Sequence, residues 1–305
     1  MPYVQKIVQT LHSDMMDYYG DHTPLVVTDD GSELASLTTD TVFLIGENLK
    51  DLEGPSSRRL VFINFSVVTV LGNLFSTGIN GWLQIRRKRK LLEEKAHVIH
   101  SILDYYPSQT PRLAELSMIP ALGFLPYIRP ELVPKADLVE HRAHDICFVG
   151  NMSARRQKIV RFLKSKGLSF TESHGKDLED LASTAKISIN IHNQRSNHLE
   201  IPRLIGAMAA GTAIVTEDSY GLDSVLDRTT LLSVKYSQLT SSILKLARDP
   251  LRIRDLRDRS TEWYRTVYVP RARRRFFEAL DQIEALPLNA RGKHPQNPSQ
   301  SRTAR

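Results

Sequence analysis

A single cysteine, Cys147, in a chain of 305 residues leaves no internal disulfide to form. Its place inside the apolar run from Ile146 to Val149 predicts a buried, inert thiol in a reducing compartment. Several motifs are missing as well. No G-x-G-x-x-G turn follows a strand, which argues against a dinucleotide-dependent dehydrogenase. The stretch GNLFSTGIN has glycines but no G-K-[ST], so a P-loop NTPase is excluded. The ten histidines are scattered, with no H-E-x-x-H and no Cys-rich spacing, and no essential metal is expected. The first residues lack a basic stretch followed by a long apolar one, so no signal peptide is expected and the cytoplasm is the default location. A long apolar run is also wanting. Leu60 to Leu83 carries no charge between Arg58–Arg59 and the basic run from Arg86 to Lys90. Asn64, Ser66, Thr69, Asn73, Ser76, Thr77 and Asn80 interrupt it, and Gly72, Gly78 and Gly81 weaken any helix, so no membrane span is expected. Peripheral contact with the inner face of a membrane stays open.

What is present is globular. The chain is 41% hydrophobic and 25% charged, with 15 glycines and 15 prolines, and its length suits two domains, each with its own core. The formal charge of +7 invites a nucleic-acid or acidic-surface partner. Four of those charges, Arg291, Lys293, Arg302 and Arg305, lie in the acid-free tail 287–305, leaving +3 elsewhere. That polar, proline-rich tail is expected to be disordered. Arg86 to Lys90 is followed at once by Glu93 and Glu94, as on a solvated helix with internal pairs, and no aromatics are interleaved. No nucleic-acid partner is therefore expected.

Periodicity divides the chain near residue 140. Before it, YVQKIVQTLHSDMMDYY is helical, and apolar runs at Leu25–Val27, Thr41–Ile45 and Leu60–Phe65 read as buried strands. WLQIRRKRKLLEEKAHVIHSIL reads as a helix that turns apolar. The prolines from Pro107 to Pro134 read as loops and an interdomain connection. After residue 140 strands at 145–149, 168–172, 187–191, 213–216 and 230–234 alternate with helices at 154–166, 177–185 and 200–210. This alternation means βαβ units and a parallel sheet with helices on both faces. The fold class expected is α/β: two Rossmann-like domains facing across a cleft, residues 1–140 and 141–286, followed by the tail.

Ligands of parallel sheets gather where strands end and helices begin. FVGNMSARRQKIVRFL places Gly150 and Asn151 after a strand, Ser153 at a helix cap, and Arg155 and Arg156 in the first turn. Backbone N–H groups and guanidiniums there suit an anion, a diphosphate above all. The bland alternative is a solvated first turn. In ISINIH the alternation delivers Asn190 and His192 at a strand end, Glu200 and Arg203 share a helix face three residues apart, and Glu217 ends the next strand. A carboxylate there could grip ribose hydroxyls while arginines hold the diphosphate. Glu200 with Arg203 is equally compatible with an ordinary helix ion pair, His192 with a hydrogen-bonded loop histidine, and Glu217 with a solvated strand end. His12, His22, Asp29 and Asp104 read as structural or surface groups, and no acceptor base is identified.

DICFVGNMSARRQKIVRFL, ISINIH and EIPRLIGAMAAGTAIVTED, with LVFINF, ILDYYPSQTPRLAEL and GFLPYIRPEL upstream, together resemble bacterial glycosyltransferases of the GT-B fold. They are most similar to the CgeB-like group. The resemblance spans about residues 60 to 225 and is strongest from 145 to 221. It implies a metal-independent, hexosyltransferase-type enzyme without a cofactor, whose second domain binds a nucleotide-diphosphate sugar and whose first presents the acceptor, a glycan, lipid-linked glycan or small molecule. It implies donor contacts at Gly150, Asn151, Arg155, Arg156, Asn190 and Glu217, and candidates for catalysis at His192, Glu200 and Arg203. The chain also departs from the pattern. Retaining members carry two glutamates eight positions apart, the second directly before the AMAAG-type run; His198 and Gly206 stand there. Where related chains read Asn-Leu-Glu, this one reads NFSVV from Asn64 to Val68. A GT-B protein that has lost turnover is the alternative these departures leave.

Overall fold

The structure is a computed structural model that describes residues 5–20, 39–45, 58–65, 74–106, 109–133, 141–173, 178–193 and 198–287. The strand expected at Leu25–Val27, His22, Asp29 and the tail beyond Pro287 lie outside the described residues. The chain forms two parallel sheets. Helix α1 (Gln5–Tyr19) precedes a four-stranded sheet in the order β1 (Thr41–Ile45), β2 (Arg59–Asn64), β3 (Ser101–Asp104), β4 (Ala121–Gly123). Helix α2 (Leu74–Lys95) crosses from β2 to β3, and α3 (Thr110–Ser117) from β3 to β4.

The second sheet has five strands in the order β6 (Phe170–Ser173), β5 (His144–Val149), β7 (Ala185–Asn190), β8 (Ala213–Glu217), β9 (Leu232–Val234). Its crossovers are α4 (Ala154–Ser165), α5 (Leu178–Ser183), α6 (Ile201–Ala209), and α7 (Leu222–Val225). Because β5 has β6 on one side and β7 on the other, the chain reverses its direction of travel across the sheet between β5 and β7. A crevice opens at the carboxyl ends of strands at such a switch point. Ile146, Ile187 and Ala213 sit in register across the three central strands, and all are fully buried, because helices cover both faces. Cys147 is buried there too, and burial pushes its thiol up to about 11.

Helices α8 (Leu239–Ala247), α9 (Pro250–Trp263) and α10 (Val269–Ala285) close the chain. A π-helical turn, Tyr264–Tyr268, joins the last two. It aims two phenols at the connection between the sheets. The Tyr264 hydroxyl accepts from the Ile128 amide at 2.9 Å and donates to the Ile128 carbonyl at 2.8 Å, while Tyr268 donates to the Pro126 carbonyl at 2.9 Å. Helix α10 then returns to the first sheet, where Glu284 accepts from Tyr19 at 2.8 Å and pairs with Arg59 at 2.9 Å. One apolar core runs from α1 (Ile7, Leu11) through β2 to α6 (Leu204, Met208) and α10 (Phe276). A shared core of this kind joins the two lobes more firmly than a polar interface would.

Three expectations need correction. VIHSIL is not the end of a helix: α2 stops at Lys95, and Ser101–Asp104 is a buried strand, too short for its period to show. The proline-rich stretch contains α3 and β4, because Pro111 occupies the first turn of α3 and Pro120 precedes β4, positions where a missing N–H costs nothing. Helix α2 begins at Leu74 and runs through Gly78 and Gly81; glycine is a weak penalty that tertiary packing overrides. Among the described residues no helix is long and apolar enough to cross a membrane.

Candidate functional site

The carboxyl ends of β5, β7 and β8 converge on one cluster of charges at the switch point. After β5 the chain turns at Gly150, whose φ of 131° falls where side chains are strained, and enters α4 through Ser153. Ser153 is the cap residue, but it makes no side-chain capping bond; its hydroxyl donates instead to the Asn193 carbonyl at 3.3 Å. The first turn holds no acid. Two arginines at the positive end of a helix are unfavourable alone, and carboxylates arriving from other elements relieve this.

Glu217, at the end of β8, accepts both terminal nitrogens of Arg155, at 2.6 Å for Nη1 to Oε2, and the His192 amide at 3.1 Å. Arg155 also donates to the His192 carbonyl at 3.1 Å and stacks 3.7 Å from the Tyr236 ring centroid, whose hydroxyl donates back to the Arg155 carbonyl at 3.0 Å. This forked pairing removes Glu217 from the role of a free ribose acceptor in this arrangement.

Arg156 is 1% exposed. Its Nε donates to the Ile191 carbonyl at 2.8 Å and its Nη1 to the Asn151 carbonyl at 2.8 Å. Its Nη2 makes no hydrogen bond and stands 3.5 Å from Glu200 Oε1. Burial, with Arg203 beside it, pushes Arg156 down to about 10, so it remains a cation at neutral pH. Glu200 is the cap residue of α6 and pairs with Arg203 through its other oxygen. Arg203 donates to Asn190 Oδ1 at 3.3 Å, and Asn190 donates to Thr216 Oγ1 at 3.0 Å. The Arg203 head covers Gly150: a Cβ there would lie 3.2 Å from Arg203 Nη2 and 3.4 Å from Arg156 Nη1.

His192 is 2% exposed, with Nε2 at 2.9 Å from Ser219 Oγ and Nδ1 without a hydrogen-bond partner. Burial lowers its pKa, outweighing the opposing pull of Glu217, so the ring is neutral at pH 7. Asn151 contributes its backbone carbonyl and is otherwise exposed. The nine residues singled out from sequence thus share one network. Three guanidiniums meet two carboxylates, leaving one positive charge in excess at a helix N-terminus. Such a site can take a dianion and meet charge that develops on a leaving group.

Sequence reasoning missed Tyr236 and Ser219. Tyr236 follows β9 and Ser219 follows β8, so the strand-end rule that found Glu217 reaches both. Gly206 is different. It faces α5, where a Cβ would lie 2.6 Å from Glu179 Oε1 and 2.8 Å from Leu178 Cδ2. Among the described residues no three His, Cys, Asp or Glu side chains are placed to hold a metal ion.

No protein-family profile matches the chain, and no curated protein matches it by sequence. Solved structures do match it by shape. WaaG, a glycosyltransferase involved in lipopolysaccharide biosynthesis, superposes with a TM-score of 0.57 at 10% identity over 93% of this chain and 96% of its own. S. aureus TarM, solved with UDP, fondaparinux and α-GlcNAc-glycerol, gives 0.54 at 12% identity over 74% of this chain. Anabaena HepE with UDP and glucose gives 0.52 at 9% identity, covering 74% of this chain and 72% of its own. This chain matches about half of TarM's length, 51%. The likeness shows the fold: two Rossmann-like domains in the GT-B arrangement of these glycosyltransferases.

Proposed function

We propose that the chain is a glycosyltransferase that binds a nucleotide-diphosphate sugar in its second domain and transfers the sugar to an acceptor presented by the first. Within the GT-B class its motifs are most similar to the CgeB-like group. The observation that carries the reading is the excess of guanidinium charge at the switch point, with a buried Arg156 Nη2 that makes no hydrogen bond. A diphosphate oxygen supplies the missing acceptor there.

The roles then divide by which donors the protein's own groups already satisfy. Arg155 is committed to Glu217 and Tyr236 and acts as scaffold. Arg156 Nη2, Arg203 and the first-turn amides of α4 face the diphosphate. His192 and Asn190 lie toward the transferred sugar, and Glu200 tunes both arginines it touches. Transfer by this arrangement needs no metal, because the guanidiniums and the helix N-terminus meet the charge left on the departing diphosphate. The acceptor is a glycan, a lipid-linked glycan or a small molecule, and a cytoplasmic location belongs to the same reading. The basic runs are partly consumed by the fold, which weighs against a nucleic-acid face. Arg273 pairs with Asp17 at 2.8 Å, Arg271 stacks on Trp263 and Tyr268, Arg86 stacks on Trp82, and Lys90 stands 3.5 Å from Glu94.

UDP is the first donor moiety to test, since TarM and HepE were solved with it. A ligand that binds only the native state raises Tm by mass action. UDP, GDP, ADP and their sugar conjugates are to be screened with and without chelator. One nucleotide family is expected to raise Tm, and EDTA is expected to leave the rise unchanged. Arg203→Ala, which removes a partly accessible cation, is expected to weaken that ligand about tenfold or more with the fold intact. No shift with any nucleotide, beside salt-sensitive binding to DNA or RNA, overturns the reading.

A further inference from the structure

The donor network hangs on two loops, the approach to α6 and the turn after β8, and a tyrosine of the other domain joins them. Strand β3 ends at Asp104, and Tyr106 follows two residues later. Asp104 is fully buried and fixes this turn. It accepts from Asn64 Nδ2 at 3.0 Å, Gln109 Nε2 at 2.9 Å, Thr110 Oγ1 at 3.3 Å and the Tyr106 backbone amide. Thr110 also donates to the Tyr106 carbonyl at 3.4 Å. The backbone that carries Tyr106 is therefore set by the first domain.

Its side chain enters the second. Tyr106 is 1% exposed, and its hydroxyl donates to the Tyr220 carbonyl at 3.2 Å, with the Leu199 backbone beside it. Leu199 directly precedes Glu200, the carboxylate between Arg156 and Arg203. Tyr220 directly follows Ser219, which holds the His192 ring at 2.9 Å. A β-bridge between His198 and Tyr220 ties the same two loops side by side.

We propose that Tyr106 is a positioning residue for the donor site, its one hydroxyl setting the spacing of the loops that carry Glu200 and Ser219. The inference rests on the nucleotide-sugar reading above. Without the hydroxyl, the Tyr220 carbonyl loses its donor, and the bridge from Tyr220 to His198 passes that change to the approach to α6 and the arginines it should hold. First-domain geometry then reaches the donor loops through this bond, and a productive donor pose requires the acceptor domain to be docked.

Tyr106→Phe keeps the ring and its packing. Tyr268→Phe is the control, because it also deletes a buried interdomain phenol bond, 2.9 Å to Pro126, away from the donor loops. Titration calorimetry with whichever nucleoside diphosphate binds wild type, and hydrogen exchange over residues 198–206, read the effect. Tyr106→Phe is expected to lose about tenfold in affinity and to exchange faster across 198–206. Tyr268→Phe is expected to lose Tm comparably and keep its affinity within about twofold. Wild-type affinity in Tyr106→Phe, or equal losses in both variants, overturns the positioning role while leaving the donor reading intact. A wild type that binds no nucleoside diphosphate overturns the donor reading, and this role with it.

Discussion

Gly206 is the position where opposing effects can be weighed most directly. It lies inside α6, so Gly206→Ala should gain about 1 kcal/mol from helix propensity alone. The new methyl has nowhere to go. Its carbon would lie 2.6 Å from Glu179 Oε1, 2.8 Å from Leu178 Cδ2 and 3.3 Å from Leu178 Cγ, against ordinary carbon contacts of about 3.5 to 4 Å. Leu178 and Glu179 are themselves buried in the first turn of α5, so relief requires their side-chain ends to shift within packed surroundings. Overpacking of this kind costs about 1 to 3 kcal/mol, which offsets or outweighs the propensity gain.

The net expectation is a loss of up to about 2 kcal/mol, read as a lower Tm and a lower urea midpoint with the slope unchanged. In a Glu179→Ala background, where the closest atom is gone, the same substitution should cost less, and a double-mutant cycle isolates that coupling. Gly206→Glu is expected to destabilise more than alanine, because buried side chains of α5 hold the space. A Gly206→Ala protein that is more stable by the full helix-propensity gain would refute the packing of α5 against α6.

Two further outcomes can be checked by unfolding. Arg142 lies near the amino end of the second sheet, remote from the charge cluster, and donates at 2.7 Å to the Ala185 carbonyl and at 2.7 Å to the Gly211 carbonyl. Arg142→Met should cost about 3 kcal/mol, from two charge-assisted bonds, with nucleotide affinity unchanged; loss of affinity at constant stability would contradict its remote placement. Asp104 is pushed by burial up to about 7 from an ordinary 3.8, despite the bonds from Gln109 and Asn64. The folded state then holds a proton the unfolded chain has released, so this contribution is full below about pH 4 and is lost as pH rises toward about 7. The stability difference between wild type and Asp104→Asn should shrink over that window by a few kcal/mol, at about 1.4 kcal/mol per unit of gap, and parallel pH curves would sink the assignment.

The second sheet is legible because buried parallel strands are short continuous apolar runs, and Ile146–Val149, Ile187–Ile191 and Ala213–Val215 stand out against helical segments on either side. Their polar members did not give the burial away. Asn190 and His192 are expected near a cleft, and both are buried, because helices cover the two faces and Thr216 and Arg203 satisfy Asn190 in place of water. The first sheet is harder to read. Four residues in β3 and three in β4 are too few to show a period, and prolines that elsewhere break elements here mark their edges.

At the site, position along the chain indicated which groups gather but not which of them pair. The strand-end rule placed Arg155, His192 and Glu217 in one region, yet whether Glu217 serves a ribose or an arginine depends on distances set by segments 62 residues apart. The same holds for Glu200, which local spacing pairs with Arg203 and the fold also sets beside Arg156. Cations brought out of water are held only if anions or backbone carbonyls replace their hydration. Arg155 and Arg156 have most of those replacements already, which makes them part of the fold as much as part of the site. The unfilled demand falls on Arg156 Nη2, so on the proposed donor reading an incoming anion meets the part of the cluster that the protein's own carboxylates leave uncompensated.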